Sequence, residues 1–468
     1  MPLFTRRRIQ AMLDELGPVM ERGKAKDMLA RLGRTRQPDQ VLAAEMELGL
    51  LWAMRQVGHV EVEPKAADGR RPDSASNDLL GNVPAIIEIT TVSDAHFSGE
   101  KLMRRAFFKI VDFANTVCRD AKYELSMLFG EERHWDQDQC RRVRRVTENF
   151  ELDDAMREQL RAWLRGPKSQ ALRLVSADID VAISWQAGRK IRTAEYWSTL
   201  PPVAYDIRTN PVHRALTDRR KREQLRHAPN GTLRCIFIAD GGCELLRNMD
   251  RRDALRSTYS GRAIIEHAMK QAKLDIVCVF TPKRQTDLMR SWPGRRVAWE
   301  VNVVAVPKLM MRLDFSRIEA LAEKLPRPRF EGYQARSIQE QGSFVPDALG
   351  WHLGTTATWR QIQGKDNVTL KISARELQEF LAGRLSRERF DRQFGDNGPN
   401  LFEQFLKQGY TLSASRLEPA GLDEDDDHMV FEFAQDAAAS NFRIDTGDGE
   451  TLTTDTGHNP PPGLERPV

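Results

Sequence analysis

The chain has 468 residues, 29% charged and 40% hydrophobic, with a mean hydropathy of −0.54. That length exceeds one ordinary core and predicts two domains, or one domain carrying a large insertion. No apolar run approaches the ~18 residues of a membrane span. The basic start Met-Pro-Leu-Phe-Thr-Arg-Arg-Arg leads into an amphipathic stretch, not a secretory core, so a cytoplasmic protein without a membrane partner is expected. The five cysteines (Cys118, Cys140, Cys235, Cys243, Cys278) lack C-x-x-C spacing, which argues against structural zinc and a disulfide framework. The net charge of +4 is uneven: from Gly421 onward there are 12 Asp and Glu against 2 basic residues, leaving about +14 on residues 1–420. Such a basic body suits a polyanion, because Lys and Arg on phosphates release counterions; an arginine-rich solvated surface has the same composition.

Residues 1–37 read as two short basic helices, broken at Gly17-Pro18 and Gly33. Asp39 is placed to cap a helix through Val41, Leu42, Met46, Leu50, Leu51 and Met54, stopping at Gly58. His59–Pro64 alternates as a strand, and after Pro72-Asp73 and a polar turn the β-branched Ala85–Val92 predicts another. From about Ser98 to Gly166 the pattern is helical, including two charged helices with Trp135 and Trp163; Leu174–Trp185 then alternates as a half-exposed strand. A helix over Pro211–Arg226, capped by Asn210, precedes the apolar run Leu233–Ala239. Two further buried strands, Asp275–Phe280 and Trp299–Val306, with a helix at Arg262–Lys273, complete an α/β domain with a central sheet. Beyond Pro-Arg-Pro-Arg at 326–329, strands at Val368–Ile372 and Met429–Phe433 and a helix Ala374–Leu385 capped by Ser373 predict a small α+β unit. The expected division is therefore 1–37 basic helices, 38–325 α/β domain with a helical insertion at about 93–209, 330–440 α+β domain, and 441–468 a disordered acidic tail.

Three carboxylates carry the chemistry. Glu47 has Leu50, Leu51 and Met54 on its own helix face, so it points inward and needs a metal, a cation or a donor as partner. Glu88 shares one face of its strand with Thr90, while Ile87 and Ile89 take the other. Asp73 lies across a hairpin-like turn from Glu88. Oxygen ligands converging on one sheet edge suit a hard divalent cation such as Mg²⁺.

At these residues the chain resembles the PD-(D/E)XK nuclease superfamily, whose fold is restriction-endonuclease-like: a helix bearing Glu47, the strand Val60–Pro64, Pro72-Asp73, and a strand with Glu88-Ile-Thr90. Thr90 stands where family members commonly carry the lysine that positions the attacking water. Variant members move that lysine to a neighbouring helix, and the positions open to it here are Lys101 or Lys109, or Lys221 with Gln224. The resemblance implies a metal-dependent nuclease of DNA, in preference to RNA, in a bacterial restriction or antiphage setting. It would use Mg²⁺ or Mn²⁺ held by Asp73, Glu88, the Ile89 carbonyl and Glu47, with Thr90 and Lys221 at the water. Arg214, Arg219, Arg220 and Arg222 would contact backbone phosphates. The alternative is a catalytically inactive scaffold of the same fold that binds nucleic acid or a partner protein, a homo-oligomer included.

Three other clusters are weaker. Asp178-Ile-Asp180 offers two carboxylates on one strand face, as a metal site or a solvated edge. Asp240-Gly-Gly-Cys243 follows an apolar strand, as a ligand turn or simply a tight turn. The acidic run Asp423–Asp427 reads as a solvated loop. No P-loop, G-x-G-x-x-G, G-x-S-x-G or H-E-x-x-H is present.

Overall fold

The computed structural model describes the chain except residues 1–2, 34–36, 66–70, 96–98, 119–120, 137–138, 187–194, 199–205, 227, 251–258, 286–296, 341–356, 362–366, 395–399, 425, 437–442, 446–450 and 454–468. It divides into two compact units, Met1–Ser343 and Phe344–Val468. No helix among the described residues is long and apolar enough to cross a membrane.

The first unit is mixed α/β, centred on six strands that neighbour one another in chain order: β1 (Val60–Val62), β2 (Ser74–Ser76), β3 (Ala85–Val92), β4 (Leu233–Asp240), β5 (Ile276–Arg284) and β6 (Val297–Ala305). β1, β2 and β3 form an antiparallel meander; β3, β4 and β5 run parallel; β6 returns antiparallel. Cys235–Ala239 and Ile276–Phe280 are fully buried, which explains why the central strands are continuously apolar rather than alternating. One face is covered by α1 (Arg6–Leu16), α2 (Arg22–Leu32) and α3 (Pro38–Val57), whose Met12, Met28 and Leu50 share a core with Ile87, Ile89 and Phe237. The other face is covered by α4 (Pro211–Leu216), α5 (Arg219–Arg226) and α6 (Gly261–Ala272), where Val212, Leu225 and Ile264 meet Ile86, Val92 and Ile238. Burying each such side chain is worth ~1.5–3 kcal/mol, so the sheet fixes both layers.

Several boundaries differ from the sequence reading. Gln37 is the N-cap of α3 and Pro38 its first residue, so Asp39 sits in the first turn, where its charge complements the helix dipole. The single helix expected over Pro211–Arg226 is two. Thr217 Oγ1 donates to the His213 carbonyl at 2.8 Å and closes α4, and Asp218 Oδ1 accepts the Lys221 N–H at 3.2 Å and opens α5. Short polar side chains bonding their own backbone interrupt helices in this way.

The insertion is not helical throughout. Its helices Glu100–Val117 and Asp154–Arg165 pack on a four-stranded sheet ordered Leu172–Val175, Asp180–Trp185, Leu125–Phe129, Glu195–Ser198, around a core containing Ile110, Phe129, Leu160 and Val181. Of the two charged helices expected there, the one with Trp163 is present, whereas Trp135 falls in a hairpin pairing Glu131–Asp136 with Gln139–Arg144. Leu125–Phe129 is a short apolar run, which periodicity cannot distinguish from a helical segment. Likewise the single strand read over Leu174–Trp185 is a hairpin, turned where Ser176 N–H donates to the Ile179 carbonyl at 2.8 Å.

The second unit holds an antiparallel sheet ordered Thr358–Gln361, Asn367–Ser373, His428–Gln435, Tyr410–Glu418, with Leu370, Phe405 and Phe433 in its core. Ser373 Oγ caps the helix Ala374–Leu381 by accepting the Glu376 N–H at 3.1 Å, as its S-x-x-E pattern predicts. The acidic run is not simply solvated. Asp426 is 5% exposed and accepts from Ser373 Oγ at 2.8 Å and the Arg375 N–H at 3.1 Å, so it braces the capped end of that helix. Of the segment expected to be disordered, Arg443–Asp445 pairs with Thr451–Thr453; its other residues lie outside the described ones.

Candidate active site

β2 accompanies β3 only as far as Ile87, opposite Ser74, so from Glu88 onward that edge of β3 has no strand neighbour among the described residues. Asp73, just before β2, fills the first vacant position: its Oδ2 accepts the Ile89 N–H at 2.8 Å. The N–H and C=O of a strand residue point to the same edge, so the Ile89 carbonyl faces this side as well. Glu88 is 3% exposed, and its Oε1 is buried without a hydrogen-bond partner.

Glu47 reaches the same place from α3. Its Oε1 lies 2.6 Å from Lys24 Nζ and its Oε2 2.7 Å from Arg31 Nη1, both cations coming from α2. Lys24 Nζ also lies 3.3 Å from Asp73 Oδ1 and 3.4 Å from Glu63 Oε1. From the opposite layer, α5 brings Lys221 to the cleft and ties itself to the Asp73 segment through Gln224 Nε2, which donates to the Arg71 carbonyl at 3.1 Å. The cleft enclosed by these groups is about 880 Å³. A second cleft of about 550 Å³, lined by Thr90, Thr91 and Arg214, shares Asp218 and Lys221 with it.

Burial and mutual charge set the protonation states. Burial, then the neighbouring Asp73, push the Glu88 carboxyl up to about 8, against the pull of Lys221 and Lys24. Asp73 is likewise raised, by burial and then by Glu47. For Glu47 the cost of burial is outweighed by Lys24 and Arg31, and its pKa falls. Burial lowers the pKa of Lys221 against the attraction of Asp73 and Glu88. Lys24 is also buried, yet Glu47 and Asp73 more than compensate and its pKa rises. The two lysines therefore differ in character: Lys24 is locked as a cation, and Lys221 is the more easily deprotonated amine.

Of the residues the sequence proposed, Glu47, Asp73, Glu88, Ile89, Arg220 and Lys221 line one cleft, and Thr90 and Arg214 line its neighbour. Arg219 and Arg222 are exposed, Arg219 pairing with Glu223 at 3.1 Å. Lys109 is engaged inside the insertion, donating to the Phe150 carbonyl at 2.9 Å, and lines neither cleft; the Lys101 side chain lies outside the described residues. Asp180 is held by Arg173 through two bonds of 3.0 Å, which leaves Asp178-Ile-Asp180 a structural role. Asp240 Oδ1 accepts the Gly242 and Cys243 N–H groups at 2.8 and 2.7 Å, closing a tight turn. Lys24, Arg31 and Glu63 are the site residues that sequence reasoning missed. Lys24 and Arg31 lie four before and three after Met28, the fully buried residue of α2, and that spacing marks them as inward-facing.

The donor set is all oxygen, and the buried Glu88 Oε1 is a carboxylate atom in want of a partner, which fits a hard cation. In the present arrangement no group of three or more His, Cys, Asp or Glu among the described residues is poised to hold a metal ion, and Lys24 stands among the carboxylates instead. Comparisons with protein-family models, curated proteins and solved structures find no match to this chain.

Proposed function

We propose that the protein is a metal-dependent nuclease with a restriction-endonuclease-like core, acting on phosphodiester bonds of DNA in preference to RNA. The observation that carries this reading is the meeting of Asp73, Glu88 and Lys221 at the open edge of β3, with the Ile89 carbonyl on the same side. Asp73, Glu88 and that carbonyl would hold Mg²⁺ or Mn²⁺, with Glu47 behind them. When bound, the ion supplies a water of lowered pKa and neutralises charge on the scissile phosphate. Lys221 would hold the attacking water or a phosphate oxygen, the part that Thr90 cannot perform for want of charge. Arg214 and Arg220 would take backbone phosphates beside the cleft, which positions a strand without reading its sequence. The bacterial restriction or antiphage setting belongs to the same proposal, by analogy of fold.

A second reading, an inactive scaffold that binds nucleic acid or a partner protein, is favoured by one observation: Thr90 replaces the motif lysine while Lys24 occupies the carboxylates. Incubation with plasmid, linear duplex, single-stranded DNA and RNA in Mg²⁺, Mn²⁺ or EDTA separates the two. The nuclease reading expects cleavage with a divalent ion that stops in EDTA and in Asp73→Ala and Glu88→Ala. Retained binding of the polynucleotide with no cleavage of any substrate selects the scaffold.

A further inference from the structure

Lys24 makes three ion pairs within the cleft. Its side chain is 8% exposed, and its single ammonium lies within 3.4 Å of three carboxylates supplied by α3, the end of β1 and the segment before β2. Two features show that the site is built around this contact. Glu63 adopts the left-handed backbone, φ +48°, directly before Pro64, where an extended conformation is preferred. Arg31, one turn beyond Met28, fixes the other oxygen of Glu47, so that Oε1 is left for Lys24. The ammonium nevertheless leaves the site incompletely satisfied. It has three donors and one charge, and buried Glu88 keeps an oxygen without a hydrogen-bond partner.

We propose that Lys24 is the resident counter-ion of this carboxylate cluster and that a divalent cation binds by displacing its ammonium, so that α2 sets the metal concentration at which the site fills. The proposal rests on reading the cleft as a hard-cation site. A lysine suits such a role because its charge sits at the end of a flexible four-carbon stem and can swing to solvent while the helix stays docked. Glu47 would then keep Arg31, and Asp73 and Glu88 would gain the stronger charge. A doubly charged ion can engage several oxygens at once, Glu88 Oε1 among them.

The experiment is Mn²⁺ titration of the full chain by calorimetry, with Lys24→Gln and Lys24→Arg beside the wild type, and Asp73→Asn/Glu88→Gln to locate the site. Lys24→Gln should tighten Mn²⁺ at least about tenfold (~1.4 kcal/mol), whereas Lys24→Arg, which keeps the charge, should not. A measurement on the wild type needs no substitution: pulse acylation read by mass spectrometry should modify Lys24 slowly without metal and several-fold faster in saturating Mn²⁺. Equal Mn²⁺ affinity in wild type and Lys24→Gln, or acylation of Lys24 unchanged by Mn²⁺, overturns the proposal; if Asp73 and Glu88 are still required for binding, the metal reading survives it. Binding that does not depend on Asp73 and Glu88 in any variant overturns both.

Discussion

The Ile89 N–H donates to Oδ2 of Asp73 at 2.8 Å, so one carboxylate of the cleft is oriented by the backbone of the strand that carries Glu88. That bond leaves Oδ1 facing Lys24. Asp73→Asn can keep the bond to Ile89 only by turning its NH₂ toward Lys24. The expected outcome is loss of metal-dependent cleavage by about 100-fold or more, the scale of removing one charge-stabilising group at a reacting centre. Circular dichroism should show the fold retained. Cleavage within a few-fold of wild type would exclude Asp73 from the chemistry.

Lys221 and Thr90 make a paired prediction. If Lys221 supplies the cation missing at Thr90, Lys221→Ala should lower the single-turnover rate by about 100-fold, and Thr90→Lys should bring no gain, because two ammonium groups would crowd one cleft. A protein that is inert as wild type but becomes active as Thr90→Lys would instead identify an inactive scaffold.

Glu88 gives the cleft a pH signature. Its carboxyl is at about 8 in the folded protein, against an ordinary value of 4.5. Between those pH values the folded state holds a proton that the unfolded state does not, so the contribution of Glu88 to stability is fully present below the lower value and is lost as pH rises through the upper one. Glu88→Gln removes this titration while keeping the size and shape of the side chain. Urea denaturation should therefore find the variant gaining on the wild type from pH 5 to pH 9, by on the order of 2–4 kcal/mol. A difference that does not change with pH would place the Glu88 carboxyl in its ordinary range.

The glycine that starts the helix Gly332–Glu340 is set by close approach. A Cβ on Gly332 would lie 2.2 Å from the Asp240 carbonyl oxygen and 2.8 Å from the Gly242 nitrogen. Both are backbone atoms and cannot rotate away. Gly332→Ala should cost about 1–3 kcal/mol, read as a lower urea midpoint at unchanged slope, whereas Gly23→Ala, with nothing within 4 Å of its Cβ, should not lower it.

Much of the sheet is legible in the sequence, because β3, β4 and β5 are long, apolar and bounded by polar turns. The carboxylates are legible for a related reason: Glu47 and Glu88 are charges in otherwise apolar patterns. β2 is not, since Ser-Ala-Ser has no apolar alternation and exists as a strand only through its pairing with β1 and β3. Glu63 is hidden by its left-handed backbone, which no local preference predicts before proline. Lys24 is obscured by company: among Arg22, Lys26 and Arg31 nothing but its spacing from Met28 distinguishes it. The hairpin with Trp135 was lost because charge-rich strands mimic solvated helices in composition.

The register of the two central parallel strands has a consequence for how the cleft comes into being. Ala85 lies opposite Leu233, yet the whole insertion, α4 and α5 separate them in the chain. Closing so long a loop is slow, and contacts between distant segments form late. The Asp73–Glu88 half belongs to a local meander that can assemble early, and the insertion has a core of its own on which to fold meanwhile. Lys221 joins them once α5 docks on β3 and β4, where Leu225 meets Ile86 and Ile236. A nascent or partly unfolded chain would thus expose the carboxylates of the cleft before Lys221 reaches them.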